Sequence, residues 1–322
     1  KTDSGMRGNV GAALAAAADS WKSSVYFVPA YPKTGRTVVD GALYVDGKPV
    51  SESVFGEDLF NPVRRDRIAD IIGEQTRMPV VEKWQPEGAI VLRNASTNED
   101  MKRLAAEITP DVRLMAGCAG LAHYLPDKLQ IPAGKLPEVT LHQPLLVISG
   151  STSKVSLDQL RYCEEKGFRS ILLTDILEAE PDFKTLVRQV MESHHSSGVL
   201  LEVIRSEEEC ARLNQEAGRS GLNSIQASER IASNLGKAAA SIVNAGFQGV
   251  LFVFGGDTLA CVLRELKTRR IKPLCEIESG VVVSEVFRDD GSLFVISKSG
   301  SFGGLDVVEN VCRKCSMGVF AQ

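Results

Sequence analysis

The chain has no apolar stretch long enough to cross a bilayer: its longest runs, PLLVISG and GVLFVFGG, fall far short of the ~20 residues a membrane helix needs. It also lacks a basic balance. Lysine and arginine total 37 against 41 aspartates and glutamates, a net charge of −4, so no broad positive field exists to hold nucleic acid or an anionic membrane. Any cationic surface must be local and suited to a small anion. Glycine is plentiful at 28 residues, yet none of it forms a Walker A loop or a GxGxxG fingerprint followed by a ribose-binding acid, which disfavours a nicotinamide dehydrogenase. Cysteine is sparse and odd in number, seven residues from Cys118 to Cys315. Scattered in this way they imply reduced thiols in a cytoplasmic protein rather than a disulfide framework. Neither a signal-peptide pattern nor an initiator Met opens the chain, and the first part of the native sequence is expected to lie upstream of Lys1.

What is present describes an ordinary globular protein of 322 residues, 43% hydrophobic and 24% charged. That length exceeds what one hydrophobic core usually organises and predicts two domains. In the first, GNVGAALAAAADSWK, VRRDRIADIIGEQT, NEDMKRLAAEIT and GCAGLAHYLPDKL read as helices, while SVYFVPA and GAIVLRNAS read as strands. The alternation around Asp46-Gly47 signals a β-hairpin, because a type I′ turn needs positive φ at both central residues. Residues 126–144 carry four prolines with little periodicity and read as a linker, dividing the chain into domains over 1–135 and 144–322. Beyond it, LLVISGS, SILLTD, GVLLEVI and GVLFVFGGD alternate with helical stretches, the pattern of a parallel sheet covered on both faces. The expected fold is therefore α/β with two mainly parallel, Rossmann-like domains, the first carrying an added hairpin.

Three strand ends in the second domain terminate in small polar residues: VISGSTSKVS, FVFGGDTLACVLREL and VISKSGSFGG. Ligands of parallel sheets sit outside the carboxyl ends of the strands, where glycine admits a phosphate to main-chain N–H groups at a helix start. Gly255-Gly256-Asp257-Thr258 shows this pattern most clearly. The opening KTDSGMRGNVGAAL suits a small acid in a different way. Lys1 and Arg7 supply charge, Asp3 and Ser4 can hold hydroxyls, and Gly8, Asn9 and Val10 are expected to offer free amides at a helix start.

Taken together, KTDSGMRGNVGAAL, PAYPKTGRTVVDGALYVDGKPVSES, GCAGLA, SGSTSKVSLDQL, FGGDTLACVLREL and KSGSFGG resemble the four-carbon acid sugar kinase family, in matching order along nearly the whole chain. The resemblance implies an ATP-dependent enzyme with an N-terminal sugar-acid domain and a C-terminal nucleotide domain. Its substrates would be threonate, erythronate or oxo-tetronates. For the acid it implies Lys1, Asp3, Ser4, Arg7, Gly8 and Asn9, together with Gly35 and Arg36. For ATP it implies Ser149, Gly150 and Ser151, Gly255 to Thr258, Gly300 and, by a looser match, Gly280. It also implies a homodimer. Three departures stand out: no acidic ADDFTGA-like loop precedes Lys1, TSKVS replaces a Cys-Ser-Pro segment, and Leu259 occupies a position where a small residue is common.

Phosphoryl transfer to an alcohol needs in-line placement, Mg2+ to spread charge, and a group that takes the hydroxyl proton. Asp257 fits the part of base or Mg2+ ligand, with helix capping as its structural alternative and Asp3 as a competing base. The rival to a kinase is a nucleotide-binding but catalytically inactive fragment, or another non-enzymatic ligand-binding protein.

Overall fold

The computed structural model describes residues 1–57, 62–132, 134, 139, 141, 144–151, 153–193, 198–299 and 302–317. Gly300, His142, His194 and His195 lie outside the described residues. The chain forms two compact units, Lys1–Gly134 and Lys135–Gln322.

The first unit begins with α1 (Val10–Trp21) and β1 (Val25–Val28), followed by β2 (Arg36–Val39), β3 (Ala42–Val45) and β4 (Lys48–Pro49). It continues through α2 (Ile68–Gly73), β5 (Val80–Val81), β6 (Ile90–Leu92), α3 (Asn98–Ala106), β7 (Leu114–Gly117), α4 (Ala119–Ala122) and α5 (Leu125–Lys128). A parallel sheet runs in the order β5-β6-β1-β7, packed on a core that includes Leu14, Phe27, Ile90 and Leu104. Beside it β2, β3 and β4 form an antiparallel meander. Its second turn is Asp46-Gly47, with φ of 51° and 81° as a type I′ turn requires. The first turn is a second such pair, Asp40-Gly41 at 47° and 75°, so the expected single hairpin is a three-stranded sheet.

Two helices differ from expectation. VRRDRIADIIGEQT is helical only from Ile68, because the preceding backbone is spent on the meander: Asp66 O accepts from Leu43 N at 2.9 Å, and Ile68 N donates to Gly41 O at 2.9 Å. GCAGLAHYLPDKL splits into the strand end at Gly117 and the two short helices α4 and α5. Helix α3 starts where sequence logic puts it. Thr97 and Asp100 form a reciprocal capping box.

The second unit comprises β8 (Leu145–Ser149), α6 (Lys154–Glu165), β9 (Arg169–Leu172), α7 (Lys184–Met191), β10 (Gly198–Glu202), α8 (Glu207–Arg219) and α9 (Ser224–Asn244). It ends with β11 (Val250–Phe254), α10 (Gly256–Glu265), β12 (Arg270–Glu278), β13 (Val281–Arg288), β14 (Gly291–Lys298) and α11 (Val307–Met317). Its sheet runs β12-β13-β14-β11-β8-β10-β9. From β14 to β9 every pair is parallel, and β12 and β13 join antiparallel at one edge. β8, β10 and β11 are buried along their whole length, as both faces are covered. Leu145, Val147, Leu200, Phe252 and Ile296 share a core with Val307, Val308 and Val311 of α11. Leu146, Ile148, Leu201, Leu251 and Val253 instead pack with Leu235, Ala238 and Ala239 of α9. Among the described residues no helix is long and apolar enough to cross a membrane.

Candidate active site

β8 opens the second unit, and the chain places β9 and β10 on one side of it and β11 on the other. The strand order therefore reverses between β8 and β11, and the crevice at such a reversal is where open α/β sheets bind ligands. Ser149 and Phe254 end the two strands in register. Phe254 is also in register with Lys298, the last residue of β14, so the three polar strand ends are neighbours on one edge.

The glycines at this edge differ in the room around them. Gly255 has φ of +95° and donates its N–H to Lys298 O at 2.9 Å. It is also the N-cap of α10, without a capping side chain, so the first amides of the helix lack intrahelical partners. A Cβ on Gly150 would lie 2.9 Å from Leu235 Cδ1 and 3.5 Å from Thr258 Oγ1, which places the β8 loop against the start of α10. Around Gly256 the situation is opposite: a Cβ there would meet nothing within 4 Å. Its backbone has no positive φ either, so neither packing nor conformation within the protein requires a glycine at that position. Ser149 is buried and accepts from Ser151 N at 3.3 Å.

Asp257 is exposed at the second position of α10, and its carboxylate makes no hydrogen bond or ion pair among the described residues. It is not the helix cap, since Gly255 holds that position. Gly280, φ 78°, turns β12 into β13, and a Cβ on it would lie 2.4 Å from the Phe302 ring, next to the segment that follows β14. Lys298 is 3% exposed, with its ammonium 4.0 Å from the Phe254 ring centroid and donating to Ser299 O. Burial pulls its pKa from 10.5 down to about 8.

In the first unit the strand order reverses between β1 and β7, and the opening residues lie at that edge. Thr2 N donates to Gly117 O at 2.8 Å, and the Cys118 thiol donates to Pro29 O and Ala30 O. Thr2 Oγ1 is buried without a hydrogen-bond partner among the described residues. Arg7 and the buried Arg36 stack on the same ring, with guanidinium carbons 5.0 and 5.6 Å from the Phe55 centroid. Burial pulls the Arg36 pKa down, while Asp46, Asp3 and Cys118 counter it by favouring the charged form. Gly35 is needed here: its φ is +74°, and a Cβ would fall 1.9 Å from Asp46 Oδ1.

Two contacts within the opening motif carry no signal of their own in the sequence. Asp3 is tied to its own segment. Its carboxylate takes Arg7 Nη2 at 2.9 Å and Nε at 3.3 Å, plus the amides of Gly5 and Arg7. Burial raises the Asp3 pKa, but the bonds and charge of Arg7 outweigh it and the net shift is downward. At the start of α1 the amides of Gly8, Asn9 and Val10 have no acceptor among the described residues, whereas the next two amides are taken. Gln75 Oε1 accepts from Gly11 N at 2.7 Å and Ala12 N at 3.3 Å, and its Nε2 donates to Gly8 O. Lys1, Gly8 and Asn9 are exposed and Ser4 is half-buried.

Residues 146–308 match the model of a nucleotide-binding C-terminal domain, and residues 1–125 match that of a sugar-binding N-terminal domain. The chain belongs to the four-carbon acid sugar kinase family. Within this family it is 28% identical to a D-threonate kinase of Salmonella typhimurium, over 94% of this chain and 77% of the relative. It is 24% identical to a 3-oxo-tetronate kinase of Cupriavidus necator, over 97% of this chain and 76% of the relative. A Haemophilus influenzae crystal structure shares the fold, with a TM-score of 0.68 at 21% identity, covering 98% of this chain and 81% of that one.

For this sugar acid kinase family member, sequence reasoning missed Phe55, Lys298 and Gln75. The lysine stands within VISKSGSFGG, but its burial depends on Phe254, a residue distant in sequence. Gln75 carries no local signal at all, since it reaches Gly11 from 64 positions away.

Proposed function

We propose that this protein is an ATP-dependent kinase that phosphorylates a hydroxyl of a four-carbon sugar acid: threonate, erythronate or an oxo-tetronate. The observation that carries this reading is the β8/β11 reversal, where α10 starts without a capping side chain and a Cβ on Gly256 would meet nothing within 4 Å. Such an edge takes phosphate oxygens through main-chain N–H groups. The acceptor class follows the names of the relatives.

In this reading Gly255, Gly256, Asp257 and Thr258 cradle the triphosphate, with Ser149, Gly150 and Ser151 from the β8 loop beside them and Gly280 buttressing the edge. Gly300 belongs to the same proposal by its motif. An unpaired carboxylate beside a triphosphate is repulsive unless a cation or a proton lies between them. Asp257 therefore suits a Mg2+ ion held by one carboxylate and the phosphates, which would spread charge during transfer. Among the described residues no cluster of three metal-ligating side chains exists, and a kinase site of this kind does not need one. Proton acceptor is the alternative role for Asp257, since a carboxylate bound to a metal is a poor base. Asp3 is committed to Arg7, and its lowered pKa makes it a weaker base.

Residues 1–135 then bind the acid and residues 144–322 the nucleotide. Arg36 and Arg7, held on Phe55, supply positive charge for the substrate carboxylate, with Lys1, Ser4, Gly8 and Asn9 around them. Gly35 keeps Asp46 and Arg36 in place. An ADP-release screen of the full-length protein with ATP, Mg2+ and each four-carbon sugar acid tests the reading, with phosphorus NMR identifying the product. Acid-dependent ADP and a phosphorylated acid are expected; absence of turnover with every acid overturns it.

A further inference from the structure

Gln159 lies on α6 and is 1% exposed. Its amide nitrogen lies within hydrogen-bond distance of three successive carbonyls, Phe302 O at 3.2 Å, Gly303 O at 3.0 Å and Gly304 O at 3.0 Å, which share its two N–H donors. In a planar trans peptide the C=O of one residue and the N–H of the next point in opposite directions. Turning these three carbonyls onto one nitrogen therefore turns the N–H groups of Gly303, Gly304 and Leu305 away from it. None of those three amides has a hydrogen-bond acceptor among the described residues. Gly303 permits the arrangement with φ of +87°.

The other end of the side chain is as informative. Gln159 Oε1 is buried with no hydrogen-bond partner among the described residues, a cost that calls for an explanation. The side chain leaves its oxygen unsatisfied while its two N–H donors serve three carbonyls. The segment it holds follows β14, whose last residue is in register with Phe254, and its Phe302 ring packs where a Cβ of Gly280 would be. It thus adjoins the edge assigned above to the triphosphate. Successive outward N–H groups make a concavity that favours an anion.

We propose that Gln159 is a positioning residue for the nucleotide: it pins the 302–304 peptides so that the amides of Gly303, Gly304 and Leu305 face a nucleotide phosphate. This rests on the kinase reading. The side chain itself stays behind the peptides. What the position requires is a donor: a carboxylate would repel the three carbonyls, and an ammonium would satisfy them.

Two measurements on the full-length protein test this. In the unmodified protein, saturating ATP slows amide hydrogen exchange at Gly303–Leu305. Gln159→Leu and Gln159→Glu raise the calorimetric Kd and the KM for ATP about tenfold or more, the scale of one charge-assisted hydrogen bond. The KM for the sugar acid does not change. Gln159→Lys recovers most of the ATP affinity. Exchange at 303–305 that ignores bound ATP overturns the proposal, even if no variant folds. So does a leucine variant with lowered Tm and unaltered ATP affinity. Failure of the unmodified protein to bind ATP would instead remove the kinase reading itself.

Discussion

Replacing Gly256 by alanine separates what the fold needs from what a ligand needs. Gly256 is the first residue of α10, without positive φ, and a methyl group added there would have no neighbour within 4 Å. Alanine at this position adds no clash and restricts the unfolded chain, so stability should be unchanged or higher by about 0.5–1 kcal/mol. A phosphate resting on the same amides would meet the new methyl. Loss of one hydrogen bond to a charged group is worth about 1.5–3 kcal/mol, or roughly 10- to 150-fold in Kd. Gly255→Ala is the contrasting variant. Its φ of +95° is strained for any side chain, so it should lose about 1–3 kcal/mol of stability even without nucleotide. Urea unfolding and ATP calorimetry on both variants give the comparison. A Gly256→Ala protein that binds ATP as tightly as the unmodified one would refute the placement of the phosphates.

Burial holds the Lys298 pKa near 8 in the folded chain, against 10.5 as its ordinary value. The unfolded state then binds more protons between these values, so this group's destabilisation is full below about pH 8 and is relieved as pH rises toward 10.5. The stability advantage of Lys298→Met over the unmodified protein should shrink across that window by about 3 kcal/mol, at about 1.4 kcal/mol per unit, read from urea midpoints; a difference that does not vary with pH would count against the burial. Asp3 has the opposite sign. Its lowered pKa stabilises the fold above the unfolded value and the contribution fades as pH falls through the folded value, so Asp3→Asn should be less stable at pH 6 and equal at strongly acidic pH.

The central strands of the second unit were legible because a strand buried on both faces reads as an unbroken apolar run, as in Val250–Phe254. The β12–β13 ribbon was not. β12 carries Pro273 with a register shift beside it, and it is an edge strand whose early residues are exposed, so it shows no clean alternation. The Asp46-Gly47 turn is plain from its residues, and Asp40-Gly41 carries the same signal in a less regular setting. The glycine-rich loops and their shared edge were legible as carboxyl ends of parallel strands, while the neighbour order β14-β11-β8 emerged only with the structure. The opening motif was identifiable without its internal pairing. Asp3 and Arg7 stand four residues apart and form an ion pair that their spacing alone does not announce.

A crystal structure of the full-length protein with a non-hydrolysable ATP analogue and threonate addresses the main assertion without intermediaries. The phosphates should lie on the amides of residues 255–258, with the threonate carboxylate beside Arg36. Phosphates bound elsewhere on the second unit, with residues 255–258 uncontacted, would contradict it.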